Sequence, residues 1–201
     1  MLKRAVFYLI GLLILSFGVS LTIVSDLGAG AWDALNVGLS IRIGLTVGSW
    51  VFIVGIILIV VNAFLRKHKP DYLAVITIFL VGSFIDFWLY MLSNLEPTGF
   101  LFKLLVLLAG MTLLSLGIAT YLQAKFPVIP IDNLMLALQD RLGFKLMTAK
   151  MTGELIALVL ALIFGGPIGL GTIIVTFGVG PIIQLFFPTM EKLYGKWMHE
   201  G

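Results

Sequence analysis

The sequence contains no cysteine. That single absence removes disulfides, thiolate metal sites, thiol nucleophiles and lipid-modified cysteines. Charge is also scarce: Asp, Glu, Lys and Arg make up 11% of the residues and 60% are hydrophobic, against roughly a quarter charged in an ordinary soluble domain. A water-soluble fold is thereby excluded. Histidine occurs only as His68, in a loop, and His199, at the tail, so no metal cluster is expected. No phosphate loop, nucleophile elbow or HExxH pattern occurs, so neither a catalytic site nor a cofactor is expected. The formal charge of +3 forms no basic stripe on any element, which argues against a nucleic-acid partner.

What the chain has is apolar length. Runs fall at about 5–25, 47–65, 72–92, 101–123, 147–165 and 168–188. Each can cross a hydrocarbon core of roughly 30 Å at about 1.5 Å per helical residue. The first run reaches about Val24, too long for the apolar core of a signal peptide. The sequence therefore reads as a single all-α membrane domain over 1–201, with six transmembrane helices and the lipid bilayer as its surroundings. Eleven basic residues, among them Lys3, Arg4, Arg66, Lys125, Lys145 and Lys196, fall on one side and only Arg42 and Lys103 on the other. That asymmetry places both termini in the cytoplasm.

An offset of 99 residues aligns Gly11–Gly44 with Gly110–Gly143 without a gap and gives nine identities. They include Gly18 with Gly117, Asp33 with Asp132, Arg42 with Arg141 and Gly44 with Gly143. An offset of 98 then pairs Gly55 with Gly153, Gly82 with Gly180 and Asp86 with Gln184. The pattern predicts two copies of a three-span unit, about 5–92 and 104–190. An odd number of spans forces the second copy to enter from the opposite face, the inverted-topology plan of several transporters.

Two stretches between spans, LGAGAWDALNVGLSIRIG and PVIPIDNLMLALQDRLG, each read as a loop, a short helix and a glycine stop. Their helices, about 31–43 and 131–142, are too short to span. They are either re-entrant, dipping in from opposite faces around a wet cavity, or amphipathic helices lying in the interface. In the first, Asp33, Asn36 and Ser40 form a narrow polar line. In the second, Ile131, Leu134, Met135, Leu138 and Leu142 form an apolar stripe opposite Asp132, Gln139 and Asp140.

With LGAGAWDALNVGLS following a span that ends LSFGVSL, and GLTVGSW after it, the chain resembles the YczE/YyaS/YitT group of bacterial membrane proteins. Leu27, Gly28, Trp32, Asp33 and Leu35 carry the likeness most specifically. Many relatives are expected to hold proline before Trp32; this chain has Ala31 there and keeps Pro130 in the second copy. The resemblance implies a bacterial plasma membrane location and about six spans, and no agreed activity.

Polar residues placed in or near spans are the candidates for a substrate pathway: Asp33, Asn36, Ser40, Asp86, Asp132, Gln139 and Glu154. Asp86 lies about 9 Å inside the third span at about 1.5 Å per residue. It suits a proton or cation pathway, or a structural pairing with Lys103 or Arg42. Lys150 and Glu154, four apart, share a helix face. Capping is the alternative role for Asp33 and Asp132, near the starts of their helices. The function expected is passage of an unknown small solute. The alternatives are a scaffold docking a cytoplasmic protein through the basic segments 66–71 and 125–146, and the substrate-binding subunit of a multisubunit importer.

Overall fold

The computed structural model describes residues 1–199. Its elements are all helices: α1 (Leu2–Val24), α2 (Ala31–Ile43), α3 (Val47–Arg66), α4 (Ala74–Met91), α5 (Phe100–Gln123), α6 (Pro130–Leu142), α7 (Leu146–Phe164) and α8 (Leu170–His199). Six of them, all but α2 and α6, are long and apolar enough to cross a membrane. The chain is a multi-pass membrane protein. The two short helices have 13 residues each.

Local chemistry sets the ends. Thr46 caps α3, its hydroxyl accepting from the Ser49 N–H at 3.1 Å. Pro130 opens α6, where its missing N–H has no helical partner to lose. Gly44, Gly143 and Gly165 adopt φ of +94°, +69° and +72° and close α2, α6 and α7 in the left-handed conformation that favours glycine. One boundary departs from expectation. The sixth apolar run ends near Pro188, yet α8 continues to His199 with Pro181 and Pro188 inside it. A proline removes one rung of the ladder without unseating the next, and Met190, Glu191, Lys192 and Leu193 beyond it are good helix formers.

The contacts divide the chain into two compact units, each drawing on both halves of the sequence. The first comprises Met1–Gly30, Phe84–Phe126 and Pro167–Gly201, and α1 against α5 is its centre. Gly11 meets Tyr121, Leu15 meets Gly117, Gly18 meets Leu114 and Thr22 meets Gly110. As α1 advances α5 retreats, so the two helices run antiparallel. A Cβ on Gly18 would lie 2.2 Å from the Leu114 nitrogen, and one on Gly117 would lie 2.3 Å from that of Leu15. Only glycine permits backbones this close. Three buried hydroxyls near the seam donate to carbonyls of their own helices. Ser20 donates to the Ser16 carbonyl at 2.9 Å, Ser115 to Met111 at 2.8 Å and Thr120 to Leu116 at 2.7 Å. Both ends of the pair are tied by charge. Arg4 donates from Nη2 to the Ala124 carbonyl at 2.8 Å and lies over the Phe126 ring, while Lys103 pairs with Asp26. Gly178 of α8 approaches Met111 of α5.

The second unit comprises Ala31–Ser83 and Pro127–Gly166. Here α2 packs on α7 and α3 on α6, while α2 also touches α3 and α6 touches α7. The closest approaches again need glycine: a Cβ on Gly166 would sit 2.1 Å from the Ala34 carbonyl oxygen, and one on Gly82 2.5 Å from that of Gly48. Ile59, Ala74 and Ile78 form a small apolar core with Phe52, Ile56 and Val75 around it.

Candidate solute site

Asp33 and Asp132 occupy the same place in their helices, the third residue of α2 and of α6. Neither is the N-cap: in α6 that position is Ile129, which gives no side-chain cap. A carboxylate in the first turn still favours the positive end of the helix dipole. Both belong to the second unit, as do α7 and its Lys150 and Glu154. Glu154 lies within electrostatic range of Asp33, of Asp132 and of Lys150. Three carboxylates from three helices therefore share one neighbourhood with one ammonium. The alignment of Gly153 beside Leu134 and Trp32 shows how α7 is held there: a Cβ on Gly153 would stand 3.7 Å from the Leu134 side chain and 4.0 Å from the Trp32 ring.

Asp33 belongs to α2, which is too short to span. Burial, with the nearby Glu154 charge adding to it, pushes its carboxyl up to about 7 from an ordinary value near 3.8. One turn on, Asn36 is 3% exposed and its Oδ1 accepts no hydrogen bond. Asp33 and Asn36 thus set a carboxyl and an unmet amide acceptor one turn apart on α2. Among the described residues no three His, Cys, Asp or Glu side chains stand close enough together to hold a metal ion. The cluster is a diffuse charge constellation, not a coordination shell.

The remaining candidates divide. The Ser40 hydroxyl donates to the Leu45 carbonyl at 2.7 Å, which closes the turn after α2. Gln139 is half-buried on α6 and its backbone carbonyl accepts from the Gly143 N–H. Asp86 is half-buried and falls in the first unit with the exposed Gln184. Lys103, one of the two cations on the face expected for Asp86, pairs with Asp26. Arg42, the other, lies beside Gly165 at the end of α7. His68 lines a separate cleft with Asn62, Arg66 and Lys69, and the side chain of His199 lies outside the described residues.

Sequence reasoning passed over Asn62. It is buried in α3, and its amide N–H donates to the Pro130 carbonyl at 2.8 Å. The signal was available, since Asn62 is the one polar side chain between Trp50 and Arg66.

Comparison with known proteins decides the family. Residues 2–188 match the model of a family of unknown function, DUF6198. The chain belongs to the DUF6198 family. It is 44% identical over 190 residues to the uncharacterized protein YyaS of Bacillus subtilis, covering 94% of each chain. It is 35% identical over 192 residues to the uncharacterized membrane protein YczE of the same organism, covering 94% of this chain and 88% of that one. An uncharacterized Haemophilus influenzae protein is 25% identical over 185 residues, with 92% and 84% covered. The YczE and YyaS likeness read from the Leu27–Leu35 pattern thus extends through nearly the whole DUF6198 chain. No solved structure matches it.

Proposed function

We propose that the protein is a small-solute transporter of the bacterial cell membrane whose pathway is lined by Asp33, Asn36, Asp132 and Glu154. The observation that carries this is the convergence of two equivalent aspartates, one from each half of the sequence, on Glu154. Ionisable groups in membrane proteins are costly and mark substrate, ion or proton pathways by default. These carboxyl and amide groups suit cationic or donor-bearing solutes, with proton exchange at Asp33 as a means of coupling.

The reading takes the halves as inverted repeats and α2 and α6 as re-entrant. Two observations support the repeat. Contacts in the α1–α5 seam are reciprocal at the 99-residue offset: Gly18 on Leu114 corresponds to Gly117 on Leu15, and Gly11 on Tyr121 to Gly110 on Thr22. Reciprocity of this kind is what a twofold relation produces, and an antiparallel seam requires that axis to lie across the helices. The exchange of partners in the second unit, α2 with α7 and α6 with α3, has the same form. Both termini are assigned to the cytoplasm by the distribution of basic residues.

A panel of metabolites screened by thermal stabilisation of the purified protein tests the reading, because a specific ligand raises stability by mass action. A hit should be followed into proteoliposome flux. Stabilisation and flux that survive in both Asp33→Asn and Asp132→Asn would leave these residues as helix anchors and remove the proposed pathway. The second reading, a scaffold docking a cytoplasmic partner, is favoured by one contact: Arg66 and Asp140, in the two basic segments, are joined at 2.8 Å.

A further inference from the structure

Where α3 gives way to α4, beside the first turn of α6, the second unit holds a cleft of about 290 Å³ lined in part by Asn62, Arg66, His68, Lys69, Asp71 and Asn133. Asn62 is 6% exposed. Its Nδ2 donates to the Pro130 carbonyl, and a carbonyl can only accept, so the orientation of the amide is fixed. Oδ1 is left buried without a hydrogen-bond partner. A buried acceptor without a donor is costly, and a ligand hydroxyl would relieve it.

The opposite requirement comes from the loop that follows α3. Lys67 turns the chain with φ +55°, which brings His68 and Lys69 to the rim, where both are exposed. Arg66 directs Nε and Nη2 at Asp140 Oδ2, at 3.0 and 2.8 Å. That pair fixes the guanidinium beside the cleft. Asp71 is engaged elsewhere, its carboxylate accepting from the Ala74 N–H at 3.3 Å to start α4. The cleft therefore brings the Arg66 and Lys69 cations and the His68 ring to its mouth, with the Asp140 and Asp71 carboxylates engaged by Arg66 and by the start of α4, beside one buried unmet acceptor on Asn62. A ligand that fits is an anion with a hydroxyl a few bonds away, which is the chemistry of a hydroxylated phosphate ester.

The surface of α3 beside the cleft indicates the source. Val60 and Phe64, one turn apart, are 58% and 83% exposed on a helix apolar enough to span. An apolar ridge leading to a basic cleft at the end of a span matches a lipid whose chains lie along the helix and whose headgroup sits at its end. We propose that this cleft binds the headgroup of an anionic, hydroxyl-bearing phospholipid of the phosphatidylglycerol type. The proposal is independent of the solute pathway, whose residues it does not use.

The test uses the full-length protein in detergent, with melting followed as short-chain lipids are added. Phosphatidylglycerol should stabilise it at concentrations about tenfold lower than phosphatidylcholine, as expected for charge-assisted contacts. The double variant His68→Gln, Lys69→Gln should melt normally without lipid and bind phosphatidylglycerol about tenfold more weakly. Phosphatidylmethanol, which keeps the charge and lacks the hydroxyls, should bind more weakly than phosphatidylglycerol to the unaltered protein. Asn62→Ser should narrow that difference, and if this variant fails to fold the comparison of the two lipids on the unaltered protein stands for it. Equal responses to phosphatidylglycerol and phosphatidylcholine, or undiminished phosphatidylglycerol binding by the double variant, would overturn the proposal. Glycerol phosphate acting as well as the lipid would overturn the bilayer as the source and assign the cleft to a soluble phosphoester.

Discussion

Gly18 and Leu114 meet backbone to backbone, with space at Gly18 for a hydrogen but not for a methyl group. Gly117 and Leu15 meet in the same way. Gly18→Ala and Gly117→Ala should therefore destabilise the protein to similar extents, by about 1–3 kcal/mol for overpacking. Gly195→Ala is the control, since a Cβ there would meet nothing within 4 Å. Melting temperatures of the three variants in one detergent check this; a tolerant Gly18 beside a sensitive Gly117 would contradict a reciprocal seam.

Asp33 gives a pH dependence whose sign follows from its environment. Its carboxyl is raised to about 7 from near 3.8. Between those values the folded chain retains a proton that the unfolded chain has released. Its contribution to stability is therefore greatest in acid, falls as pH rises from about 4 to 7, and levels off above. Asp33→Asn should flatten this part of the profile and raise the melting temperature at pH 8 relative to the parent. Melting curves from pH 4 to 8 for both proteins check the direction.

Arg66 and Asp140 form an ion pair whose side chains are 34% and 53% exposed. Pairs this open contribute ~0.5 kcal/mol. Asp140→Asn should thus hardly change melting, and reversing both charges together should restore whatever is lost. A double-mutant cycle measures it.

Arg4 is a different case. Its guanidinium donates through Nη2 and Nε to one carbonyl, that of Ala124, and covers Phe126. Arg4→Gln should cost about 1–3 kcal/mol, in keeping with a hydrogen bond from a charged donor and a cation–π contact. Lys cannot reproduce the planar fork, so Arg4→Lys should recover only part of that loss in the same melting assay.

The absence of cysteine allows single cysteines to report topology. His68→Cys should label only in permeabilised cells, and Asn94→Cys, in the segment after α4, should label in intact ones. External labelling at position 68 would reverse the proposed orientation.

The spans were legible because apolar length is written along the chain, and five of the six C-terminal ends fall within a few residues of where composition changes. The tail of α8 was not, because proline is a reliable breaker only where the flanking residues do not sustain the helix. The glycine stops at Gly44 and Gly143 were legible from their place after helical stretches too short to span. Asp33, Asp132 and Glu154 could be singled out one by one, as rare charges in apolar surroundings. Their shared neighbourhood could not, since it depends on α2 crossing to α7 and α6 lying against α7. Ser40 illustrates the converse. Its spacing after Asp33 and Asn36 suggested a polar line, but a hydroxyl near a helix end often finds a local carbonyl, and this one takes that of Leu45. The Lys103–Asp26 pair was not legible either, because Asp26 lies beyond the end of α1, where no span-based reading weighs it.

The seam between α1 and α5 has a mechanical consequence. Side-chain interfaces can slip, because each rotamer offers the next a slightly different fit. Where main chain rests on main chain there are no rotamers to exchange, and sliding one helix along the other would drive Leu15 or Leu114 into a position that has no room for it. With Arg4 clamping one end and Lys103 the other, these two helices form a strut of fixed length. Force applied to either is borne by both.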